Sequence, residues 1–136
     1  MITAVDTNVL LDAFWSDPVF GERSARALRE CLWQGSLVAC EVVWAELAAA
    51  FPSEAGLDSA MDTLQVSFSP IDLRAALAAG EAWREYRVRG GRRDRLIADF
   101  LIRGHALHQA DQLLTRDRGF ARTYLTQLVI LDPSAT

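Results

Sequence analysis

Short apolar runs alternate with longer segments of helical periodicity along the whole chain. Runs of three or four apolar residues predict buried strands, and apolar residues that recur every three or four positions predict helices. The predicted strands cover residues 3–5, 37–40, 65–68, 112–115 and 129–131. The predicted helices cover residues 9–14, 18–33, 41–51, 53–64, 72–89, 95–109 and 118–124. This alternation predicts an α/β fold of three layers, in which helices flank a central parallel sheet of about five short strands.

Capping residues support several of these boundaries. Asp17 followed by Pro18 is typical of a helix start, Gly35 of a helix end, and Asp72 of the start of the fifth helix. No linker, repeat or low-complexity segment interrupts the 136 residues, of which 51% are hydrophobic. We therefore expect a single domain over residues 1–136 with an ordinary apolar core.

Four acidic residues stand in apolar surroundings. Asp6 and Asp117 each close a predicted strand, whereas Glu46 and Asp99 lie inside apolar stretches of predicted helices. A buried carboxylate is costly unless it is protonated, paired or bound to a cation. The carboxyl ends of parallel strands also meet at one edge of the sheet. The four acids therefore predict a shared divalent cation, and ligation by oxygen alone favours Mg²⁺ or Mn²⁺.

Each acid taken alone also has a simpler interpretation. Asp6 and Asp117 precede predicted helices, where aspartate is a favoured cap. Asp99 and Glu46 could lie on solvated helix faces. Asp12, six residues after Asp6, is interpreted as a surface residue or as a group that supports the site.

A zinc site is a further alternative, because His105 and His108 lie one helical turn apart. No cysteine or third histidine stands nearby in the sequence, which argues against it. The two cysteines, Cys31 and Cys40, form no CxxC pair and favour a reducing, cytoplasmic setting. No apolar run reaches the roughly 18 residues that span a membrane.

The formal charge of −4 equals the charge of the four acids, so the rest of the chain is neutral by count. All 14 basic residues are arginine. Phosphoacceptor receiver domains have a similar length and similar acids at strand ends. Their family requires a lysine, so the absence of lysine excludes this class of protein. A phosphatase with an aspartate nucleophile is excluded too, because Asn8 stands where its second acid would be.

Seven of the arginines lie between Arg84 and Arg103. Such a cluster predicts contacts to phosphate groups of a nucleic acid, with a solvated helix end as the alternative. The residues expected to bind RNA are Arg89, Arg92, Arg93, Arg95 and Arg116.

Four segments carry a family resemblance. They are VDTNVLLD at residues 5–12, WAEL at 44–47, DFLIRGHAL at 99–107 and LLTRD at 113–117. The first two are similar to the first and second acidic motifs of the PIN-domain ribonucleases, and within them of the VapC-type toxins of bacterial toxin–antitoxin pairs. The others resemble that family's D-x-x-I-A-A-x-A-L and L-V-T-R-[ND] segments. Arg103 and Gly104 replace the usual pair of alanines, and Arg103 is expected to face the substrate groove or solvent.

The resemblance implies a site, an activity and partners. Asp6, Glu46, Asp99 and Asp117 would form the metal-binding and catalytic quartet, with Asp6 and Asp99 as direct ligands. Thr7, Asn8 and Thr115 would support them through hydrogen bonds. The implied activity is Mg²⁺-dependent endoribonuclease cleavage of single-stranded or loop regions of RNA, and the implied partners are a cognate antitoxin and a second copy of the chain. A non-catalytic protein of the same fold that binds RNA or a protein remains the alternative.

Independently of the resemblance, clustered carboxylates and a bound metal ion suffice for hydrolysis of a phosphodiester by metal-activated water. No histidine base is required for this reaction. The four tryptophans are expected mainly in the core, with one or two available to an antitoxin or dimer groove; they are Trp15, Trp33, Trp44 and Trp83.

Overall fold

The computed structural model describes residues 1–91, 96–117, 119 and 124–135. The elements in these residues are β1 (Ile2–Val5), α1 (Thr7–Phe14), α2 (Gly21–Gln34), β2 (Ser36–Ala39), α3 (Glu41–Ala50), α4 (Glu54–Thr63), β3 (Val66–Phe68), α5 (Leu73–Val88), α6 (Ile97–Gln109), β4 (Gln112–Leu114) and β5 (Ile130–Leu131). Every predicted strand and the first six predicted helices are present. The predicted helix at 118–124 lies outside the described residues, apart from positions 119 and 124.

The strands form one parallel sheet in the order β3-β2-β1-β4-β5. The predicted fold class is thereby confirmed. The chain moves outward from β1 through β2 to β3 and then returns to the other side of β1 to form β4. In sheets of this kind, ligands bind beyond the carboxyl ends of the strands where the order reverses. Here that position lies beyond the ends of β1 and β4.

The central strand is buried along three of its four residues, because helices cover the sheet. Around it, Leu10, Leu37 and Leu113 are almost completely excluded from solvent. Burial of each such side chain contributes roughly 1.5–3 kcal/mol to folding. A rigid apolar core therefore fixes the positions from which β1 and β4 present the residues that follow them.

The start of α2 differs from the prediction. The carboxylate of Asp17 accepts hydrogen bonds from the backbone N–H groups of Val19 (3.0 Å) and Phe20 (2.8 Å), and the helix begins only at Gly21. Asp17 thus closes a turn before the helix. Two other predicted boundaries are confirmed, since Asp72 caps α5 through the N–H of Ala75 and Gly35 ends α2.

Gly104 is required where α6 crosses α5. A Cβ atom at this position would lie 2.6 Å from the carbonyl oxygen of Ala75 and 3.1 Å from the Cβ of Ala79. Close packing of this kind leaves no room for an added methyl group without movement of a backbone. Arg103 and Gly104 stand where the resembling family segment usually has two alanines. The close contact explains why the second of these positions is glycine in this chain.

His105, also on α6, is buried and forms a hydrogen bond with Ser69, their Nε2 and Oγ atoms lying 2.9 Å apart. Burial lowers the pKa of His105 below its ordinary value and outweighs the opposing effects of the Glu41 and Asp72 carboxylates. Protonation of the ring is therefore less favourable in the folded chain than in the unfolded chain. In the unfolded chain the ring takes up a proton near its ordinary pKa of about 6.5.

We expect this histidine to make the fold less stable in mild acid. Because the unfolded state binds the proton more readily, the free energy of unfolding falls as the pH falls through about 6.5. The His105→Gln variant should lose part of the stability difference between about pH 8 and about pH 5.5, measured by urea denaturation. His108→Gln is the matched control, because His108 is exposed on the same helix. An unchanged pH dependence in His105→Gln would contradict the prediction.

Two of the four tryptophans, Trp15 and Trp33, lie outside the core. Trp33 is 92% exposed and Trp15 is 52% exposed, whereas Trp44 and Trp83 are half-buried. Among the helices that the structure describes, none is both long and apolar enough to cross a membrane.

Candidate functional site

The site lies where β1 and β4 end side by side. Asp6 follows β1 and Asp117 follows β4 after two residues, and the two strands pair in parallel with Val5 beside Leu114. The backbone N–H of Asp6 continues this pairing by donating to the carbonyl of Leu114 at 3.0 Å. Asp6 is buried, and the side chain of Asp117 is about one-third exposed. The structure therefore places these two acids at the same edge of the sheet.

The carboxylate of Asp6 caps a helix and also joins a hydrogen-bond network. Its Oδ1 accepts the backbone N–H of Thr7 at 2.8 Å and so caps α1. Its Oδ2 accepts the hydroxyl of Thr115 at 2.8 Å. A carboxylate held at both oxygens has a fixed orientation, as a ligand or catalytic group requires.

Thr115 lies at the centre of a small polar network. Its hydroxyl oxygen accepts hydrogen bonds from the side-chain amide of Asn8 at 3.3 Å and from the backbone N–H of Asp117 at 3.0 Å, and it donates to Asp6. The amide oxygen of Asn8 accepts the backbone N–H of Arg116 at 3.3 Å. The network joins α1 to the loop after β4 and thereby fixes Asp6 relative to Asp117.

Glu46 is exposed on α3, so the expectation of a buried carboxylate is wrong for this residue. The buried face of α3 instead carries Val43 and Leu47, one turn apart. Glu46 is nevertheless tied to the site, because its Oε1 accepts the hydroxyl of Thr7 at 2.7 Å. Thr7 follows Asp6 directly, and through it the structure brings Glu46 to the end of β1.

Asp99 lies in the first turn of α6 and is only half-buried, which corrects the expectation of burial on nearly all sides. The described helix starts at Ile97, so the carboxylate stands at the helix N-terminus and not in its middle. Its Oδ2 accepts the backbone N–H of Leu96 at 3.0 Å. An acid at this end of a helix is stabilised by the positive end of the helix dipole.

Arg103 is the residue that sequence reasoning misplaced. It is 1% exposed and faces neither solvent nor an open groove. Its guanidinium donates to the backbone carbonyls of Asp99 (3.1 Å) and Asp117 (2.8 Å). Its Nη2 also lies 3.4 Å from Oδ2 of Asp6 and 3.7 Å from Oδ2 of Asp117. A buried positive charge thus stands among three of the four acidic residues.

Asp12 is buried and forms an ion pair with Arg116, so it is not a surface residue. Its carboxylate accepts Nε of Arg116 at 2.6 Å and Nη2 at 3.1 Å, together with the hydroxyl of Ser24 at 3.0 Å. The guanidinium also lies 4.1 Å from the ring centroid of Phe20. The hydrogen bond to Asp12 raises the pKa of Arg116 above its ordinary value.

Of the other arginines expected to bind RNA, Arg89 lies exposed at the end of α5. It pairs with Glu85 at 2.7 Å, and its guanidinium lies 5.8 Å from the ring centroid of Tyr124. Arg92, Arg93 and Arg95 lie outside the described residues. Their predicted role stays a prediction.

The donor chemistry of the site fits a hard divalent cation, because the four acids supply only oxygen. Within residues 1–91, 96–117, 119 and 124–135, however, no three acidic, histidine or cysteine side chains form a group already arranged around a metal position. His105 bonds to Ser69, and the predicted zinc alternative gains no third ligand in that part of the chain.

Several solved structures share the fold. The chain matches one in the VapBC2 complex of Rickettsia felis, bound to a DNA fragment from its promoter, with a TM-score of 0.74 and 22% identity over 97% of this chain and 98% of the other. It matches a chain of VapBC-1 from nontypeable Haemophilus influenzae with a TM-score of 0.73 and 22% identity, over 98% and 99% of the two chains. The DNA-bound VapBC of Salmonella typhimurium gives 0.72 and 17%, over 98% of each chain.

Comparison at the sequence level gives the family. No functionally curated protein sequence shows a significant match. The family model described as the PIN domain matches residues 3–125, which include β4, all of β1 except Ile2, and the four acids. The resemblance that the motifs indicated is thereby confirmed. This chain belongs to the PIN domain family.

Proposed function

We propose that this chain is a divalent-metal-dependent endoribonuclease and the toxin of a toxin–antitoxin pair. The observation that carries the proposal is the hydrogen-bonded chain Glu46–Thr7–Asp6–Thr115–Asp117 at the carboxyl edge of the sheet. It gathers three acids from three elements at the position where such sheets bind ligands. Membership of the PIN family and the toxin–antitoxin complexes among the similar structures support the same function.

In this proposal the four acids have different roles in binding a metal ion. Asp6 and Asp99 would bind the metal ion directly, and Glu46 and Asp117 would complete the set of oxygen ligands. A bound Mg²⁺ or Mn²⁺ lowers the pKa of a water molecule and stabilises charge on the leaving oxygen. Thr115 and Thr7 keep the carboxylates of Asp6 and Glu46 oriented through the hydrogen bonds described above.

The proposed substrate is RNA in single-stranded or loop regions. Water attacks the phosphate, so the 2′-hydroxyl is not needed as the nucleophile, and discrimination against DNA has to come from contacts in the groove. Phosphate contacts are the proposed role of the basic residues, which are Arg89, Arg92, Arg93, Arg95 and Arg116.

The proposed partners are a cognate antitoxin and a second copy of the chain, in the cytoplasm. Tryptophan is enriched among the residues that supply most of the binding energy at protein interfaces. Trp33, at 92% exposure, and Trp15, at 52%, are the candidate contacts. Both cysteines are buried free thiols, in keeping with a reducing compartment.

A non-catalytic PIN protein is the second candidate, and one observation favours it. The guanidinium of Arg103 already neutralises part of the negative charge that would attract a metal ion. Such a protein would bind RNA or a protein partner without cleaving either. Measured cleavage separates the two candidates.

The test combines cleavage with metal binding. We expect Mg²⁺ or Mn²⁺ to permit cleavage of a structured RNA, EDTA to abolish it, and a DNA of the same sequence to be cleaved more slowly. The same ions should raise the melting temperature by several degrees, and by less in Asp99→Asn, because a ligand that binds only the folded state stabilises it. A protein that neither cleaves nor gains stability with either ion would contradict the proposed function.

A further inference from the structure

Four acceptors from the described part of the chain surround the buried guanidinium of Arg103. Two are backbone carbonyls, of Asp99 at 3.1 Å and of Asp117 at 2.8 Å. Two are carboxylate oxygens, of Asp6 at 3.4 Å and of Asp117 at 3.7 Å. The shorter contacts are those to the backbone. The arginine is therefore anchored by the start of α6 and by the loop after β4.

The anchored guanidinium adds a positive charge to the site. A guanidinium keeps its proton at every accessible pH, and burying it is costly unless nearby acceptors compensate. With 1% of Arg103 exposed, solvent contributes almost nothing to that compensation. The acids and carbonyls around it supply the compensation instead, so the positive charge is a permanent part of the site.

We propose that Arg103 fills, with a fixed positive charge, the position between Asp6 and Asp117 that a divalent ion would otherwise take. The inference rests on the proposed function, because it concerns the same four acids. It assigns the space between Oδ2 of Asp6 and Oδ2 of Asp117 to the guanidinium, so a metal ion bound by Asp6 and Asp99 would lie outside that space. This chain then binds one divalent ion fewer than its carboxylates alone would hold.

The test is the number of Mn²⁺ ions bound per chain, measured by calorimetric titration and by electron paramagnetic resonance of free Mn²⁺. Arg103→Met removes the charge and keeps an unbranched side chain, so this variant should bind one more Mn²⁺ than the wild type. Arg103→Lys keeps the charge and should bind as the wild type does. Arg26→Met is the matched control, since Arg26 is an exposed arginine that pairs with Glu22 on α2.

Stability gives a second readout. Without metal, Arg103→Met removes the positive charge that lies 3.4 Å from Oδ2 of Asp6 and 3.7 Å from Oδ2 of Asp117, so its melting temperature should lie below that of the wild type. Added Mn²⁺ should remove most of this difference. If the variant does not fold without metal, it is refolded with Mn²⁺, and the metal retained after gel filtration is counted. Failure to refold with Mn²⁺ would overturn the proposal.

The remaining outcomes are equally decisive. Equal Mn²⁺ numbers for wild type and Arg103→Met, or an extra ion in Arg103→Lys as well, would overturn the proposal. A wild type that cleaves RNA, combined with an unchanged metal number in Arg103→Met, would remove this inference and leave the proposed function standing. A wild type that does not cleave RNA, combined with an extra Mn²⁺ in Arg103→Met, would remove the proposed function and leave this inference standing.

Discussion

Asp6→Asn is expected to lower metal-dependent RNA cleavage by roughly a hundredfold to a thousandfold, which corresponds to a loss of about 3–4 kcal/mol of transition-state stabilisation. Asparagine has nearly the same shape as aspartate, and its carbonyl oxygen can still accept a hydrogen bond from Thr7 or Thr115. What it lacks is the negative charge that a metal ion requires. The measurement is the single-turnover rate of RNA cleavage at saturating Mg²⁺.

Asp58→Asn is the control for this variant, because Asp58 is an exposed acid on α4 and the change in net charge is the same. It should cleave at the wild-type rate. Asp6→Asn also removes a carboxylate from the surroundings of Arg103, so rates have to be compared at equal fractions of folded protein. Cleavage by Asp6→Asn at the wild-type rate would indicate another site or a contaminating nuclease.

The fold could be predicted because its signals are local. A three-residue apolar run or a repeat of three to four positions is contained within one element, and each predicted strand exists to within a residue at either end. Asp6 and Asp117 could be placed for the same reason, since position at a strand end is a property of the local sequence. The parallel pairing of β1 with β4 then brings them to one edge.

Burial of the other two acids was harder to predict, because apolar neighbours in sequence are not always neighbours in space. Glu46 has apolar residues on both sides, yet only Val43 and Leu47 face the core and the carboxylate is exposed. Asp99 was predicted four residues after the start of a helix at 95–109, whereas the described helix begins two residues before it, at Ile97. The direction of the buried face of α3 determines the exposure of Glu46. The position of the start of α6 determines that of Asp99.

The two ion pairs that organise the site could not be predicted from local sequence. Arg103 and Asp6 are 97 residues apart, and Arg116 and Asp12 are 104 apart. One signal did exist: Arg103 is the single charge in the apolar stretch that follows Asp99, and a charge that a buried helix retains needs a partner. The identity of that partner, Asp6, depends on the parallel pairing of β1 with β4, which the local sequence does not show.

Arg116→Met is expected to lower the free energy of unfolding by about 3 kcal/mol and the melting temperature by roughly 10 °C. The side chain of Asp12 is only 6% exposed, so the loss of Arg116 leaves a buried carboxylate with the hydroxyl of Ser24 as its remaining side-chain partner among the described residues. Removing one member of a buried ion pair costs more than the pair itself contributes, because the other charge stays desolvated. Urea denaturation measures the change.

Replacing both members separates this explanation from loss of packing against Phe20. In Asp12→Leu combined with Arg116→Met the buried charge is gone, and most of the lost stability should return even though the guanidinium no longer covers the ring. A double variant as unstable as Arg116→Met would show that the stacking contact, and not the carboxylate, carries the effect. Because Asp12 lies on α1 and Arg116 precedes Asp117, the pair also holds α1 against the loop that carries Asp117. The double variant lacks this link and the proposed RNA contact of Arg116, so its Mg²⁺-dependent cleavage should stay below the wild-type rate even though its stability returns.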